Sequence, residues 1–323
     1  MSKLFLNFFL LAVMIFILKG PFEWLVLNSV WSGSSSDCQM HTGACLAFVR
    51  DKMDLILWGT FPGDKRILLC GYFLSFFASL FFFFQSRRKI EVKFGVLLFS
   101  FVLESFFLWP VSISKWNGLL LVLYVFKGSY LVAFPLGLFL AVVRRYGKGF
   151  WRMGSIGLIE FVRGMPLIGL LFMASVMLPL FLPVGWEIPK IIRLFGAYIL
   201  FVSATLAEIF RGGLEQVGKG QMDAANSLGL RWPTTLMKII LPQAVMPMMV
   251  PCVNVGITLF KDTALMGIVS MMDLTMTSKM ALKDLDWGGY VTESYLFITL
   301  VYFFFCFLLS YLGNCLRKRA VIH

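Results

Sequence analysis

The chain alternates between long apolar runs and short polar segments, and this pattern predicts transmembrane helices. Runs such as 67–84 and 298–312 are rich in Leu, Phe and Val. Hydrocarbon offers no hydrogen-bond partners to a peptide backbone, so these runs must satisfy their backbone groups as helices. We count eight spans, at about 4–27, 67–84, 94–110, 117–143, 164–183, 191–210, 244–266 and 291–314. The predicted fold class is therefore an all-α polytopic membrane protein.

Composition and charge agree with a membrane location. The 323 residues are 59% hydrophobic and 14% charged, whereas soluble domains have about 25% charged residues. The net charge of +12 would suit a nucleic-acid partner, but the basic residues flank the apolar spans, as cytoplasmic membrane anchors do. Lys and Arg are more numerous on the inside when both termini are placed in the cytoplasm. We expect the first span to be an uncleaved helix, because no A-x-A-like site follows it.

The predicted spans divide the chain into two parts. Residues 1–114 hold about three spans and an outer, periplasmic loop at 31–66, and residues 115–323 hold five. Cys38 and Cys45 share that loop, and a disulfide between them would fit an oxidising compartment. The other four cysteines lie in or beside spans, where packing is the expected role. With two histidines and no HExxH motif, we predict no histidine metal site.

A transporter needs an energy source, and this chain shows none of its own. No GxxxxGK[ST] motif occurs, so we expect no ATP bound here by a P-loop. Either an ion gradient or a separate nucleotide-hydrolysing subunit must then drive transport. A stand-alone secondary transporter or channel is the alternative, but the paired inverted repeats typical of secondary transporters are not visible. A membrane enzyme would need a catalytic set, and we find none.

One polar stretch, QMDAANSLGLRWPTTLMKIILPQA at 221–244, interrupts the apolar pattern. Its residues predict a helix at 221–228 that ends at Gly229, which suits the left-handed conformation. Pro233 begins a second helix, where its missing N–H costs nothing. That helix should stop or kink before Pro242. The residue types leave open whether this segment rests on lipid headgroups or docks a partner protein.

The spacing within this stretch resembles the EAA loop of bacterial ABC importer permeases, EAA-x3-G-x9-I-x-LP. The resemblance assigns ATPase coupling to Asp223, Ala224, Ala225, Gly229, Leu241 and Pro242. Asp223 replaces the usual Glu; it keeps the charge on a shorter side chain. The coupling loop as a whole covers 208–243.

Further segments within 116–317 resemble the polar amino-acid permeases. These are EFVRGMPL from Glu160, AEIFRGG from Ala207 and FKDTAL from Phe260. The outer loop, with NSVWSGSSSDC and GACLAFV, resembles the second (M-type) permease of general L-amino-acid transporters. The resemblance implies that the last five helices form a type I importer core. It further implies two copies of an ATPase that binds ATP and Mg, a second homologous permease, and a periplasmic amino-acid-binding protein.

Charged residues within apolar spans are the remaining candidates for function. Such groups are costly in a membrane and commonly mark substrate paths. We assign a candidate substrate path to Glu160, Arg163, Glu208, Arg211, Lys261, Asp262 and Thr263. The open alternative is that they pair with one another or anchor helix ends. Glu104 and Lys127 fall at or before the start of the resembling region and could pair across helices.

Overall fold

The structure is a computed structural model that describes residues 19–86, 90–183 and 185–321. Every regular segment in these ranges is helical, and the β contacts among them are two isolated bridges, Val30–Cys45 and Gly118–Asp273. The all-α prediction is confirmed. Before the core lie α1 (Ser35–Gln39), α2 (Leu46–Trp58), α3 (Arg66–Gln85) and α4 (Ile90–Leu108). The core follows as α5 (Gly118–Tyr146), α6 (Gly149–Gly164), α7 (Leu167–Phe172), α8 (Lys190–Gln216), α9 (Lys219–Ser227), α10 (Trp232–Thr235), α11 (Leu241–Asp262), α12 (Leu274–Ala281) and α13 (Val291–Val321).

Five described helices are long and apolar enough to cross a membrane, and a bent pair could form a sixth span. They correspond to the predicted spans at 67–84, 117–143, 164–183, 191–210, 244–266 and 291–314. The predicted span at 94–110 appears as α4, a 19-residue apolar helix. The first predicted span, 4–27, lies mostly outside the described residues. The total of eight spans therefore stays a prediction.

The predicted span at 164–183 is the second arm of a bent helix pair in the structure, and α6 is the first arm. Helix α6 and the segment that follows it meet at 102°. The break falls at Met165, which is extended because it precedes Pro166 and the proline ring disfavours a helical conformation there. The chain then runs through α7 into a π turn, Met173–Met177, and a 3-10 turn, Leu178–Phe181. Sequence analysis did not identify α6 as a helix.

Helix α5 is the centre of the bundle. Most side chains of its first half, including Leu120, Leu121 and Leu123, are almost completely buried, and it packs along α8 for much of its length. Gly137 makes this close approach feasible, because a Cβ atom there would lie 2.8 Å from the Ser203 carbonyl oxygen. Helices α3 and α13 are apolar all round and mostly exposed, as expected for helices that face lipid.

Residues 23–62 form a small structure that we call the cap, at the end of the bundle where α5 begins. The cap contains α1 and α2, and a disulfide joins Cys38 to Cys45 within it. It rests directly on the start of α5: Gly118 has φ +60°, and a Cβ atom there would lie 2.3 Å from the Leu57 carbonyl oxygen. Only glycine fits a position with both restrictions.

The cap is also tied to the last part of the chain. The Cys45 backbone N–H donates to Glu293 Oε1 at 3.1 Å, and the Thr277 hydroxyl donates to the Ile56 carbonyl at 2.6 Å. Phe48 stacks near Tyr290, with ring centroids 5.9 Å apart. These contacts join the cap to α12 and to the start of α13. At the opposite end of the bundle lies α9.

Candidate coupling surface and translocation groove

Helix α9 carries the predicted coupling residues on an exposed surface. Asp223 and Ala224 are exposed, whereas Ala225 is 1% exposed and faces the protein. Beside them, the apolar side chains of Leu228 and Trp232 project into the surroundings. A short helix therefore offers one carboxylate, one methyl group and an apolar edge to a partner. The segment that the sequence predicted at 221–228 extends over Lys219–Ser227.

Gly229 ends α9 in the way its residue type predicted. Gly229 has a φ of +67°. The Leu230 N–H donates to the Ala225 carbonyl, and the Gly229 N–H donates to the Asn226 carbonyl. These two hydrogen bonds define a Schellman motif, which satisfies the last carbonyls of a helix. No atom lies within 4 Å of a Cβ placed on Gly229. Backbone conformation, and not space, therefore requires glycine here.

Of the two predicted outcomes before Pro242, a stop or a kink, the stop is wrong: the helix that follows continues past this residue. Helix α10 begins at Trp232 with Pro233 in its first turn, as predicted. It then widens into a π turn, Leu236–Ile240, in which the Leu241 N–H bonds the Leu236 carbonyl. The wider turn lets the chain continue into α11 although Pro242 has no N–H and its ring crowds the preceding turn. The coupling loop is thus joined to a membrane helix without a break.

A groove of about 400 Å³ lies between α9 and the start of α11. It is lined by Gly218 of the connection from α8 to α9, by Gly220 of α9, and by Gln243 and Pro247 of α11. The Gln243 side chain donates to Gln221 Oε1 at 3.2 Å, so a hydrogen bond ties α9 to α11 across the groove.

A second groove, of about 330 Å³, lies between α8 and α11, farther along α11 than the first. Its lining includes the polar side chains of Thr205, Asn254, Thr258 and Asp262. Asn254 and Thr258 are exposed although they lie in the middle of a membrane-spanning helix. Polar groups at that depth rarely face lipid; they face protein or water. This side of the chain therefore has the properties of a wall of a polar path.

Of the predicted substrate-path residues, Asp262 lines this second groove. Thr263 is fully buried, and its hydroxyl donates to the Phe260 carbonyl at 2.6 Å. Lys261 is exposed. No ion pair joins Lys261 to Asp262 among the residues that the structure describes.

The other four predicted residues meet in one ionic cluster near the α9 end of the bundle, which we call the arginine cluster. Glu208 is its centre: Arg211 Nε and Nη2 lie 3.0 and 2.5 Å from Glu208 Oε1. Arg144 and Arg163 approach the second oxygen at 3.2 and 3.4 Å. Glu160 pairs with Arg144 at 3.0 Å. The cluster thus joins α5, α6 and α8.

Three members of the cluster were not among the predicted site residues. They are Arg144, Arg145 and Glu215, and Glu215 lies 2.6 Å from Arg211 and 3.9 Å from Arg145. Part of this was visible in the sequence. Glu208, Arg211 and Glu215 follow an i, i+3, i+7 spacing, which places them along one face of a helix.

A second buried charge pair fixes the N-terminal helices to the core. Lys127 of α5 lies 2.5 Å from Glu104 of α4, and these side chains are 6% and 0% exposed. The Lys127 ammonium also donates to Ser79 and Ser100 at 2.9 and 2.8 Å, and it lies 5.3 Å from the Phe76 ring centroid. One cluster therefore joins α3, α4 and α5.

Within the described ranges, no group of three or more His, Cys, Asp or Glu could hold a metal ion.

Comparison with known proteins identifies what this arrangement belongs to. The inner membrane amino-acid ABC transporter permease protein YhdY of Escherichia coli (strain K12) is 38% identical over 309 residues, which cover 92% of this chain and 83% of that protein. The glutamate/glutamine/aspartate/asparagine transport system permease protein BztC of Rhodobacter capsulatus is 38% identical over 210 residues. These residues cover 65% of this chain and 48% of that protein.

Solved structures and a family model agree with these relatives. The fold matches a crystal structure of an amino acid ABC transporter with histidines, with a TM-score of 0.55 and 25% identity over 63% of this chain and 92% of that one. The inward-facing MetNI methionine ABC transporter shares the fold, with a TM-score of 0.50 and 16% identity over 63% of this chain and 94% of that one. Residues 133–321 match a family model. The chain therefore belongs to the family of binding-protein-dependent transport system inner membrane components, and it is a permease subunit of an ABC importer.

Proposed function

We propose that this chain forms half of the translocation path of an importer for polar L-amino acids and couples that path to ATP hydrolysis on separate subunits. Membership of the family implies an ATPase partner that carries ATP and Mg. It also implies a second permease or a binding protein. The finer assignment is two ATPase copies, a homologous second permease and a periplasmic amino-acid-binding protein. Relatives named as amino-acid permeases support the substrate class.

Helix α9 is the feature that carries this proposal. It is exposed and firmly capped by Gly229. The Gly229 turn connects it to α10, which continues through the π turn into α11, and the Gln243–Gln221 hydrogen bond ties it directly to α11. A partner that displaces α9 would therefore push on a membrane helix. Basic residues collect at this end of the bundle, including Arg144, Lys148 and Lys219. By the positive-inside rule we infer that this end is cytoplasmic, and this orientation supports cytoplasmic termini and a periplasmic cap.

The second groove supports a path for a zwitterionic substrate. Asp262 offers a carboxylate to an ammonium group, and the side chains of Asn254 and Thr258 offer hydrogen-bond donors to a carboxylate. The groove is open on one side of the chain, so a second permease would complete it. This chain does no covalent chemistry. The two grooves follow one another along α11, Pro247 lining the first and Pro251 the second, and this order supports a substrate route toward the α9 end.

The substitution Gly229→Val tests the coupling role of α9. A β-branched side chain in the left-handed conformation costs at least ~1–2 kcal/mol, so the Schellman cap should open and α9 should lose its fixed position. We expect normal membrane insertion, loss of uptake, and failure to retain the ATPase through detergent purification.

A matched control is Gly185→Val. Gly185 also has a positive φ, +91°, and open space around it, but it lies at the other end of the bundle. We expect it to retain the ATPase. If Gly229→Val transports at the wild-type rate, α9 is an ordinary surface helix and the proposal fails.

A further inference from the structure

The arginine cluster joins the inner ends of three helices close to the coupling helix. Glu208 belongs to α8, Arg144 to α5 and Arg163 to α6, and both arginines approach the same carboxylate oxygen. About two helical turns farther along α8, Glu215 faces Arg211 and Arg145. Opposite charges therefore join α5, α6 and α8 at the level of Glu208, and join α5 to α8 again at the level of Glu215.

The carboxylate of Glu208 is occupied by this chain's own arginines. Arg211 takes one oxygen, with two N–H groups, and the other oxygen faces Arg144 and Arg163. Three guanidinium groups around one carboxylate leave no favourable place for the ammonium group of an amino acid. Glu208 and its arginines are thus better suited to hold helices together than to contact a substrate.

The contacts between helices are looser than the contact within α8. Arg144 Nη1 and Glu208 Oε2 are both buried, lie 3.2 Å apart, and neither makes a hydrogen bond of acceptable geometry. Arg144 is also shared with Glu160 at 3.0 Å. A shared guanidinium with unsatisfied hydrogen-bonding atoms can change partners at little cost, because each arrangement satisfies some of the same groups. The cluster is therefore a joint that keeps the three helix ends linked by opposite charges while individual pairs exchange.

This joint stands next to the point where the coupling helix is attached. Helix α8 ends at Gln216, and α9 begins at Lys219 after the extended residues Val217 and Gly218. In the described part of the chain, no ion pair connects the cluster to α11. A displacement of α9 thus reaches α11 through the Gly229 turn, α10 and the π turn, and it reaches α8 through Gly218.

We propose that the arginine cluster is a positioning device for the coupling step: it makes α5 and α6 follow the inner end of α8 when α9 is displaced. This inference rests on the proposed function and assigns Glu160, Arg163, Glu208 and Arg211 to coupling rather than to the substrate path. Without the cluster, α8 moves alone, the ATPase still hydrolyses ATP, and the path does not open. The cluster is therefore needed to couple ATP hydrolysis to transport, but not for ATP hydrolysis itself.

The test uses the complete transporter, with its ATPase, second permease and binding protein, reconstituted in liposomes. Amino-acid uptake and ATP hydrolysis are measured on the same preparation. Glu208→Gln keeps the size of the side chain and removes its charge. We expect the uptake rate to fall by about 5- to 150-fold, which is the factor that typical coupling free energies produce. The ATPase rate should stay within about twofold of the wild-type rate. Glu187→Gln is the control, since Glu187 is exposed at the other end and makes no ion pair among the described residues.

A second pair of variants keeps the test decisive if Glu208→Gln fails to insert. Arg163→Lys keeps the charge beside Glu208, and Arg163→Met removes it. We expect Arg163→Met to uncouple ATP hydrolysis from uptake and Arg163→Lys to restore most of the coupling. Uptake and ATPase activity that fall in parallel, or that both remain at wild-type values, would overturn the proposal. A raised KM for the amino acid with an unchanged maximal rate would also overturn it, in favour of substrate contact. If the wild-type complex shows no ATP-dependent uptake, the proposed function itself has failed.

Discussion

Replacing Lys127 with methionine should destabilise the protein strongly, because it leaves Glu104 as an uncompensated charge in the bundle. Glu104 is fully buried and Lys127 is its ion-pair partner at 2.5 Å. Removing one member of a buried pair costs about 3–5 kcal/mol. The two serines do not add to this cost, since Ser79 and Ser100 each also donate to a carbonyl of their own helix. We therefore expect Lys127→Met to cost about 3–5 kcal/mol.

Replacing Glu104 with leucine should cost less than replacing Lys127 with methionine, and the geometry around the Lys127 ammonium explains this difference. In Glu104→Leu, the Lys127 ammonium keeps the hydroxyl oxygens of Ser79 and Ser100 at 2.9 and 2.8 Å. Hydrogen bonds to a charged group contribute about 1.5–3 kcal/mol each, so we expect a loss of only about 2–3 kcal/mol. The double variant, Lys127→Met with Glu104→Leu, should be close to the wild type or more stable, because an apolar pair of similar volume replaces two buried charges.

The measurement is the free energy of unfolding from titration with sodium dodecyl sulfate in mixed micelles, followed by circular dichroism. Heating is less suitable, since thermal unfolding of such proteins is commonly irreversible. Lys115→Met serves as the control: Lys115 is exposed, and its loss should stay within about 0.5 kcal/mol. The reasoning is refuted if the double variant loses as much as the two single variants together, since the coupling between the residues would then be zero.

Two further predictions concern the end of the bundle near the cap. Arg193 donates to the Ile188 carbonyl and to the Ala174 and Ser175 carbonyls of the π turn. Arg193→Met should therefore lower the free energy of unfolding by about 2–4 kcal/mol in the same titration, and Arg193→Lys should lower it clearly less. Equal losses for the two variants would contradict this role. Burial raises the pKa of the Asp273 carboxyl from 3.8 to about 6, so the folded state keeps a proton that the unfolded chain has lost. The stability this contributes is complete below about pH 4 and declines by ~3 kcal/mol as the pH rises to about 6. Asp273→Asn keeps a cap for the Met276 N–H and should remove this decline. If the variant loses as much stability between pH 4 and pH 6 as the wild type does, Asp273 does not cause the decline.

Features that depend on neighbouring residues could be predicted from the sequence. The apolar runs predicted the long helices, and Gly229 and Pro233 predicted the end of one short helix and the start of the next. At Pro242 the local rule gave the wrong result in one respect. The residue before a proline avoids the helical conformation in isolation, but the packing of α11 against α8 and α13 holds the chain helical, and a π turn relieves the crowding.

Features that depend on distant residues could not be predicted in the same way. Nothing local to Glu208 indicates that Arg144, 64 positions earlier in the chain, lies 3.2 Å away. The sequence suggested that Lys127 and Glu104 could pair, but only the packing of α4 on α5 shows that they do. Helix α6 was missed for another reason: its glycines weaken the helical signal. Its buried face, Ser155, Ile159 and Val162, nevertheless has helical spacing.

The contacts of the cap also have a consequence for biogenesis. Cys45 and Glu293 are 248 positions apart, so at a synthesis rate of about 5–20 residues per second the cap waits about 10–50 s for its partner. Cys38 and Cys45 are separated by seven positions, so the disulfide can close long before that partner emerges. The cap can thus be covalently complete while its underside is still unoccupied, and its docking onto α13 becomes one of the last events of assembly. A nascent chain that stops short of Glu293 would leave this surface open to chaperones and proteases, which gives the cell a physical means to recognise an unfinished permease.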